Sequence, residues 1–221
     1  MVIGLGEHLT FGREILKMKI TDHIGIFDNG VPHDLCTSII ESFNMWEGNR
    51  EFVGPCFKDG DNQLKEGHFG RSDVQMCLEV VELDLARRLN SALRKAFDEY
   101  VEVYRGLTQN SDPLSSWTTK VQRTVAGGGY HQWHYEDGQF LHRDRSLTWM
   151  VYLNDIPSEN GGGTDFLHQK LTLQPKEGTI VLWPAAYTHV HRGGFLTGDL
   201  PKFIATGWFI RQPGQDTKDL L

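Results

Sequence analysis

The sequence contains no apolar run approaching the roughly 20 residues that span a bilayer, so no membrane-crossing helix is expected. It has three cysteines, Cys36, Cys56 and Cys77, an odd number with no C-x-x-C pair. Reduced thiols, rather than a disulfide framework, are the expected state. Positive charge is also scarce: 22 Lys and Arg face 29 Asp and Glu, a formal net charge of −7. Such a surface does not suit a nucleic-acid backbone, which needs clustered Lys and Arg. The first 20 residues interleave Glu7, His8, Arg13 and Glu14 with their apolar positions, so no signal-peptide core is visible and a cytoplasmic protein is expected. No H-E-x-x-H helix motif is present, and the Gly127–Gly129 run lacks the spacing of a phosphate-binding loop. No internal repeat or low-complexity tract is found.

At 221 residues, with 39% apolar and 23% charged, the chain suits one soluble domain. Asn29-Gly30 is a turn signal and Pro32 sits where a first-turn proline is tolerated. Leu35, Ile39, Ile40, Phe43 and Trp46 then recur at helical spacing, predicting a helix over about 32–46. The stretch Glu47–Gly70 has no sustained period and is expected to be a loop, a candidate lid or substrate wall. From Ser72 to about Tyr104, Cys77, Leu78, Leu85, Leu89, Leu93, Ala96, Phe97 and Tyr100 form an apolar stripe, predicting one long helix or two with a break.

Beyond Ser111-Asp112-Pro113 the pattern changes to short β-branched and aromatic runs: Val121–Val125, Leu147–Leu153, Leu171–Leu173, Thr179–Trp183 and Phe203–Ile210. Repeated short strands separated by turns predict an antiparallel barrel or double sheet. The expected class is α+β, one domain over 1–221, with helical support and loop to about 112 and a β core over about 118–210.

The segment Gly127-Gly128-Gly129-Tyr130-His131-Gln132-Trp133-His134-Tyr135-Glu136-Asp137 is the most informative in chemistry. In an extended strand His134 and Glu136 leave the same face, so an imidazole and a carboxylate converge. Asp137 and Asp144 compete for the carboxylate role. His191 offers a third ligand, just past the strand-like run ending at Trp183-Pro184, with His189 its rival two residues away. Two histidines and one carboxylate on one side of a metal, with the other positions open, is the set used by non-haem iron(II) oxygenases. It also suits zinc. In the run Lys202-Phe203-Ile204-Ala205-Thr206-Gly207-Trp208, alternation puts Lys202, Ile204, Thr206 and Trp208 on one face. A lysine facing a barrel interior is costly unless an anion pairs with it.

Taken in order, these motifs resemble the 2-oxoglutarate/iron(II) oxygenases, in particular their prolyl 4-hydroxylase-like branch. They are His134-x-Glu136, Leu147–Asp155, Gly161-Gly162-Gly163-Thr164-Asp165-Phe166, Lys176-x-Gly178 leading to Trp183-Pro184, His191 and Lys202, spread over about 118–210. The resemblance implies a double-stranded β-helix, or jelly-roll, core with N-terminal helices packed on the sheet. It implies Fe(II) on His134, Glu136 and His191, with 2-oxoglutarate and O2 as cosubstrates and ascorbate as an accessory reductant. Lys202 would bind the distal carboxylate, with Tyr130, Thr164 and Thr206 around the cosubstrate and Arg145 and Trp208 beside the substrate. A peptide, protein or small-molecule substrate is implied; neither a nucleic acid nor a membrane is. Three features depart from the branch: Glu136 replaces the usual aspartate, His131 stands where a tyrosine is usual, and His191 to Lys202 is one residue longer.

Overall fold

The computed structural model describes residues 18–56, 71–109 and 111–212. Its α-helices are α1 (His33–Trp46), α2 (Leu78–Val81) and α3 (Leu83–Val103), and all three precede the strands that dominate the second half of the chain. The N-terminal strands are β1 (Met18–Thr21), β2 (Ile24–Phe27), β3 (Val53–Cys56) and β4 (Arg71–Cys77). The later ones are β5 (Leu114–Thr124), β6 (Gly129–Tyr130), β7 (Arg145–Tyr152), β8 (Thr164–Phe166), β9 (Leu171–Leu173), β10 (Ile180–Pro184), β11 (His191–Gly193) and β12 (Lys202–Arg211).

The larger sheet runs β1-β2-β10-β7-β12-β5-β4-β3, with β6 paired to β4, and the smaller runs β11-β8-β9; every pairing is antiparallel. This is a jelly-roll: two antiparallel sheets enclosing an interior, with helices covering the outer face of the larger one. The expected α+β class is therefore the observed one.

β7 shows how period-two alternation builds both faces. Leu147, Trp149 and Val151 point to the helices, and Met150 and Tyr152 point inward. On α1, Leu35, Cys36, Ile39 and Phe43 are buried, and on α3, Ala86, Leu89, Leu93, Ala96, Phe97 and Tyr100 are buried, each set at helical spacing. They press on β12 through Phe43 against Phe203, with centroids 5.6 Å apart, and Phe97 against Phe209 at 4.4 Å. Burial of each such aromatic or leucine side chain is worth about 2 kcal/mol. On the inner side Ile24, Phe166, Val181 and Trp183 join Met150 and Tyr152 in a second cluster.

Gly207 allows this packing at the middle of β12. A Cβ there would lie 2.6 Å from both the Thr118 carbonyl oxygen and the Trp149 ring, so only glycine fits between β5 and the core. The strand pairing shifts register at the same point, between Thr206 and Trp208.

Helix α1 matches the expected span, entered from an extended Pro32 (φ −65°, ψ 148°). Two expectations are corrected. The periodic segment from Ser72 is not helical at its start: Arg71–Cys77 forms β4, held between β3 and β5, and the helices begin at Leu78 with a break at Glu82. Strands on both edges together pair the backbone groups of this segment over most of its length, and that outweighs local helical preference. The expected Glu47–Gly70 loop contains β3, and Glu47 pairs with Arg123 of β5. The remainder of that loop, 57–70, lies outside the described residues. Among the described residues no helix is long and apolar enough to cross a membrane.

Candidate active site

Between the two sheets lies a cavity of about 350 Å³. His134, Glu136 and His191 meet on its wall, with one ligand atom from each within 4.8 Å of the others. Glu136 Oε1 lies 3.6 Å from His134 Nε2 and 3.7 Å from His191 Nε2.

The local backbone explains the convergence, and not as a strand. Residues 131–138 are irregular, tied down by a two-way bridge in which His134 N–H donates to His191 O at 3.0 Å and His191 N–H donates to His134 O at 2.9 Å. Glu136 N–H donates to Ala185 O at 2.9 Å, so both ends of the His-x-Glu unit hang on the chain around β10 and β11. The side-by-side placement expected from strand alternation is achieved by these three bonds instead.

Each imidazole is oriented from behind. His134 Nδ1 bonds to Gln132 O at 2.8 Å and His191 Nδ1 to His189 O at 2.9 Å. A carbonyl only accepts, so Nδ1 carries the proton and Nε2 presents its lone pair to the common point. Metal–ligand bonds of about 2.1 Å put neighbouring ligand atoms about 3 Å apart, within a small side-chain adjustment of what is seen. The donor set fits a divalent metal. Burial disfavours ionisation of Glu136, but hydrogen bonds and charge from the His134 and His191 rings, when these are protonated in the absence of metal, outweigh it and hold the carboxyl well below its usual range. Burial is also the main cause that lowers the His134 pKa, keeping the ring neutral.

The rival ligands are disposed of by geometry. His189 lies in a 3-10 turn (Tyr187–His189) that breaks alternation, and its ring turns to the β1–β2 hairpin. Both its nitrogens are engaged, Nε2 with Asp22 O at 2.8 Å and Nδ1 with Thr188 Oγ1 at 2.9 Å. His131 bonds through Nδ1 to Gly193 O at 2.9 Å and stacks on Phe195, away from the cluster.

Lys202 is 5% exposed and projects into the cavity, where Nζ donates to Gly162 O at 2.7 Å. Gly162 turns that carbonyl inward from the left-handed region (φ 69°). Burial pulls the lysine pKa down to about 8 against the pull of Asp73 and Asp165 in the other direction. Lys202, Ile204, Thr206 and Trp208 all line the cavity, as alternation predicts. Thr164 and Tyr130 line it too: Thr164 accepts from the Tyr152 hydroxyl at 2.8 Å, and Tyr130 stacks on His134 at 3.9 Å. The Thr206 hydroxyl donates to Trp149 O at 2.8 Å. Arg145 reaches Glu136 rather than standing clear of it, with Nη1 donating to Oε2 at 2.9 Å and the guanidinium 3.6 Å from the Trp208 ring centre.

Sequence reasoning missed the Arg71–Asp73 pair on β4, joined by two parallel hydrogen bonds at 2.9 and 3.0 Å and lining the cavity. An R-x-D spacing places both side chains on one face of a strand, but the segment reads as helix in isolation. Lys120, Gln122 and Thr124, one face of β5, also line the cavity.

A jelly-roll with two histidines and one carboxylate gathered at its interior is the construction of the non-haem iron(II) oxygenases. Residues 119–210 match the family model of the 2OG-Fe(II) oxygenase superfamily. The superfamily implies Fe(II), 2-oxoglutarate and O2. Among solved structures, a collagen prolyl hydroxylase from Paramecium bursaria Chlorella virus-1, described as a 2OG complex, is 19% identical with a TM-score of 0.64, over 86% of this chain and 97% of that one. A Pseudomonas putida prolyl-4-hydroxylase is 15% identical with a TM-score of 0.64, over 86% and 94%. A Trichoplax adhaerens prolyl hydroxylase, solved with a hypoxia inducible factor peptide fragment, is 16% identical with a TM-score of 0.63, over 86% and 84%. At these identities the likeness is one of fold. No curated protein sequence matches the chain.

Proposed function

We propose that this protein is a 2-oxoglutarate- and Fe(II)-dependent dioxygenase that hydroxylates a prolyl or other residue of a peptide or protein, releasing succinate and CO2. The observation that carries the reading is the pairing, within one cavity, of the His134–Glu136–His191 cluster with the buried ammonium of Lys202. A zinc hydrolase has no use for that ammonium. A dicarboxylate cosubstrate anchored on the metal does, because its far carboxylate supplies the missing counter-charge.

When bound, iron and 2-oxoglutarate supply the oxidising chemistry: O2 is consumed, 2-oxoglutarate loses CO2 to become succinate, and one oxygen atom enters a C–H bond of the substrate. His134, Glu136 and His191 would hold the metal through Nε2, Oε1 and Nε2. Lys202 receives the distal carboxylate, and Thr164, Tyr130 and Thr206 border the cosubstrate. Trp183 and Met150 close the apolar side of the cavity and limit water. Arg145 and Trp208 stand toward the substrate and set its approach, which is the protein's share of the catalysis. The prolyl preference draws on the three prolyl hydroxylases that share the fold; a free amino acid or small molecule is the alternative substrate class. Ascorbate would serve as the accessory reductant. Helices α1 and α3 and the β core work as one domain in this reading.

Anaerobic addition of Fe(II) and 2-oxoglutarate tests the assignment. A weak visible charge-transfer band requiring both components, and absent from His191→Ala and Lys202→Ala, is the expected result, followed by succinate release on admitting air. Neither band nor succinate in the wild-type protein refutes it. Mass spectrometry of a peptide library then identifies the hydroxylated residue.

A further inference from the structure

Resting on the dioxygenase reading, we infer that Arg145 keeps one oxygen of Glu136 away from the metal position, so that this glutamate ligates through Oε1 alone. Glutamate is longer than aspartate by a methylene. It therefore has a further rotatable bond and freedom to present both oxygens to a metal. Two-oxygen ligation would take a position that a chelating cosubstrate needs.

The structure divides the two oxygens between different partners. Oε1 faces both histidines, at 3.6 and 3.7 Å. Oε2 accepts from Arg145 Nη1 at 2.9 Å, and the same nitrogen donates to the Glu136 main-chain oxygen at 3.2 Å. One guanidinium nitrogen thus pins both the head and the root of the side chain. The backbone beneath is fixed by Glu136 N–H to Ala185 O at 2.9 Å.

Arg145 is itself immobilised. It opens β7, beside β12, and its guanidinium lies on Trp208, 3.6 Å from the ring centre. The Arg145 and Glu136 side chains are 14% and 15% exposed, so little solvent competes for the pair. Such a shielded, charge-assisted bond holds more strongly than a surface ion pair. Arg145 is on this account a positioning residue for the ligand, and Trp208 positions Arg145.

The test uses the metal-free protein titrated with Co(II), then with 2-oxoglutarate. Cobalt absorption reports coordination number, which a merely structural arginine would not alter. For Arg145→Met the expected outcome is a changed cobalt spectrum before cosubstrate is added and 2-oxoglutarate binding weaker by about tenfold or more, with the circular dichroism of the wild type. Arg145→Lys keeps a charge but has a compact head without the planar face that lies on Trp208, so it holds Oε2 less firmly and should fall between the two. Wild-type spectra and wild-type 2-oxoglutarate affinity in Arg145→Met overturn the inference and leave the dioxygenase reading standing. If Arg145→Met does not fold, Arg145→Lys decides, and its identity with wild type in both readouts overturns the inference. A wild-type protein that binds neither cobalt nor 2-oxoglutarate overturns both.

Discussion

Replacing Lys202 by methionine should stabilise the ligand-free protein while abolishing cosubstrate capture. Burial lowers the Lys202 pKa from 10.5 to about 8. That difference of about 2.5 units corresponds to about 3 kcal/mol carried by the folded state near pH 7, where the lysine is charged in both states. Loss of the bond to Gly162 O offsets about 1 kcal/mol of this. The net gain of about 2 kcal/mol raises the melting temperature by roughly 4–8 °C for a chain of this size. The sign reverses a common pattern. Between pH 8 and 10.5 the unfolded lysine still binds a proton that the folded one has lost, so wild-type stability rises with pH across that window. The advantage of Lys202→Met should therefore shrink by about 2 kcal/mol from pH 7 to pH 9.5. Paired urea titrations of both proteins at the two pH values measure the difference, in which all other titrating groups cancel. A variant less stable than wild type at pH 7, or a gap that does not narrow with pH, refutes the reasoning. Saturating 2-oxoglutarate with Mn(II) should raise the melting temperature of wild type and leave the variant unmoved.

Three further outcomes are expected. His191→Asn should abolish binding of Mn(II) in an equilibrium titration, whereas His189→Asn should retain full stoichiometry and lose about 1–2 kcal/mol of stability, because its ring bonds to Asp22 O and not to the metal position. Gly207→Ala places a methyl against the Thr118 carbonyl and the Trp149 ring and should cost about 1–3 kcal/mol in a urea titration. Cys36 is buried and its thiol is pushed up to about 12, so it should resist thiol reagents at pH 8 until the protein unfolds. Rapid labelling of Cys36 in the folded protein would contradict the burial seen here.

Much of the molecule was legible in order along the chain. The helix at 32–46, the stripe from Leu85 to Tyr100 and the strands at Leu147–Leu153, Thr179–Trp183 and Phe203–Ile210 each carry their own period, because each buries one face against a single partner layer. The face shared by Lys202, Ile204, Thr206 and Trp208 followed from alternation alone. β4 was not legible, since Arg71–Cys77 owes its extended form to β3 and β5 on either side, and neither neighbour is adjacent in sequence across the whole strand. The β1–β2 hairpin was missed as well. Asp22 and His23 take its turn at positive φ, which Asp and His adopt more readily than most residues, but no glycine or proline punctuates the turn itself.

The sequence by itself determined an α+β chain with an antiparallel barrel or double sheet, brought His134 and Glu136 forward as candidate ligands, and put Lys202 on one face of its strand with Ile204, Thr206 and Trp208, because each follows from spacing and residue chemistry within one segment. Tertiary structure decided between His189 and His191, for a 3-10 turn and a carbonyl of Asp22 claim the first ring before any metal does. It also decided what Arg145 touches. Hydrogen-bond partners from distant segments are set only when the sheets close, and it is those partners that tell one histidine, or one carboxylate oxygen, from its neighbour.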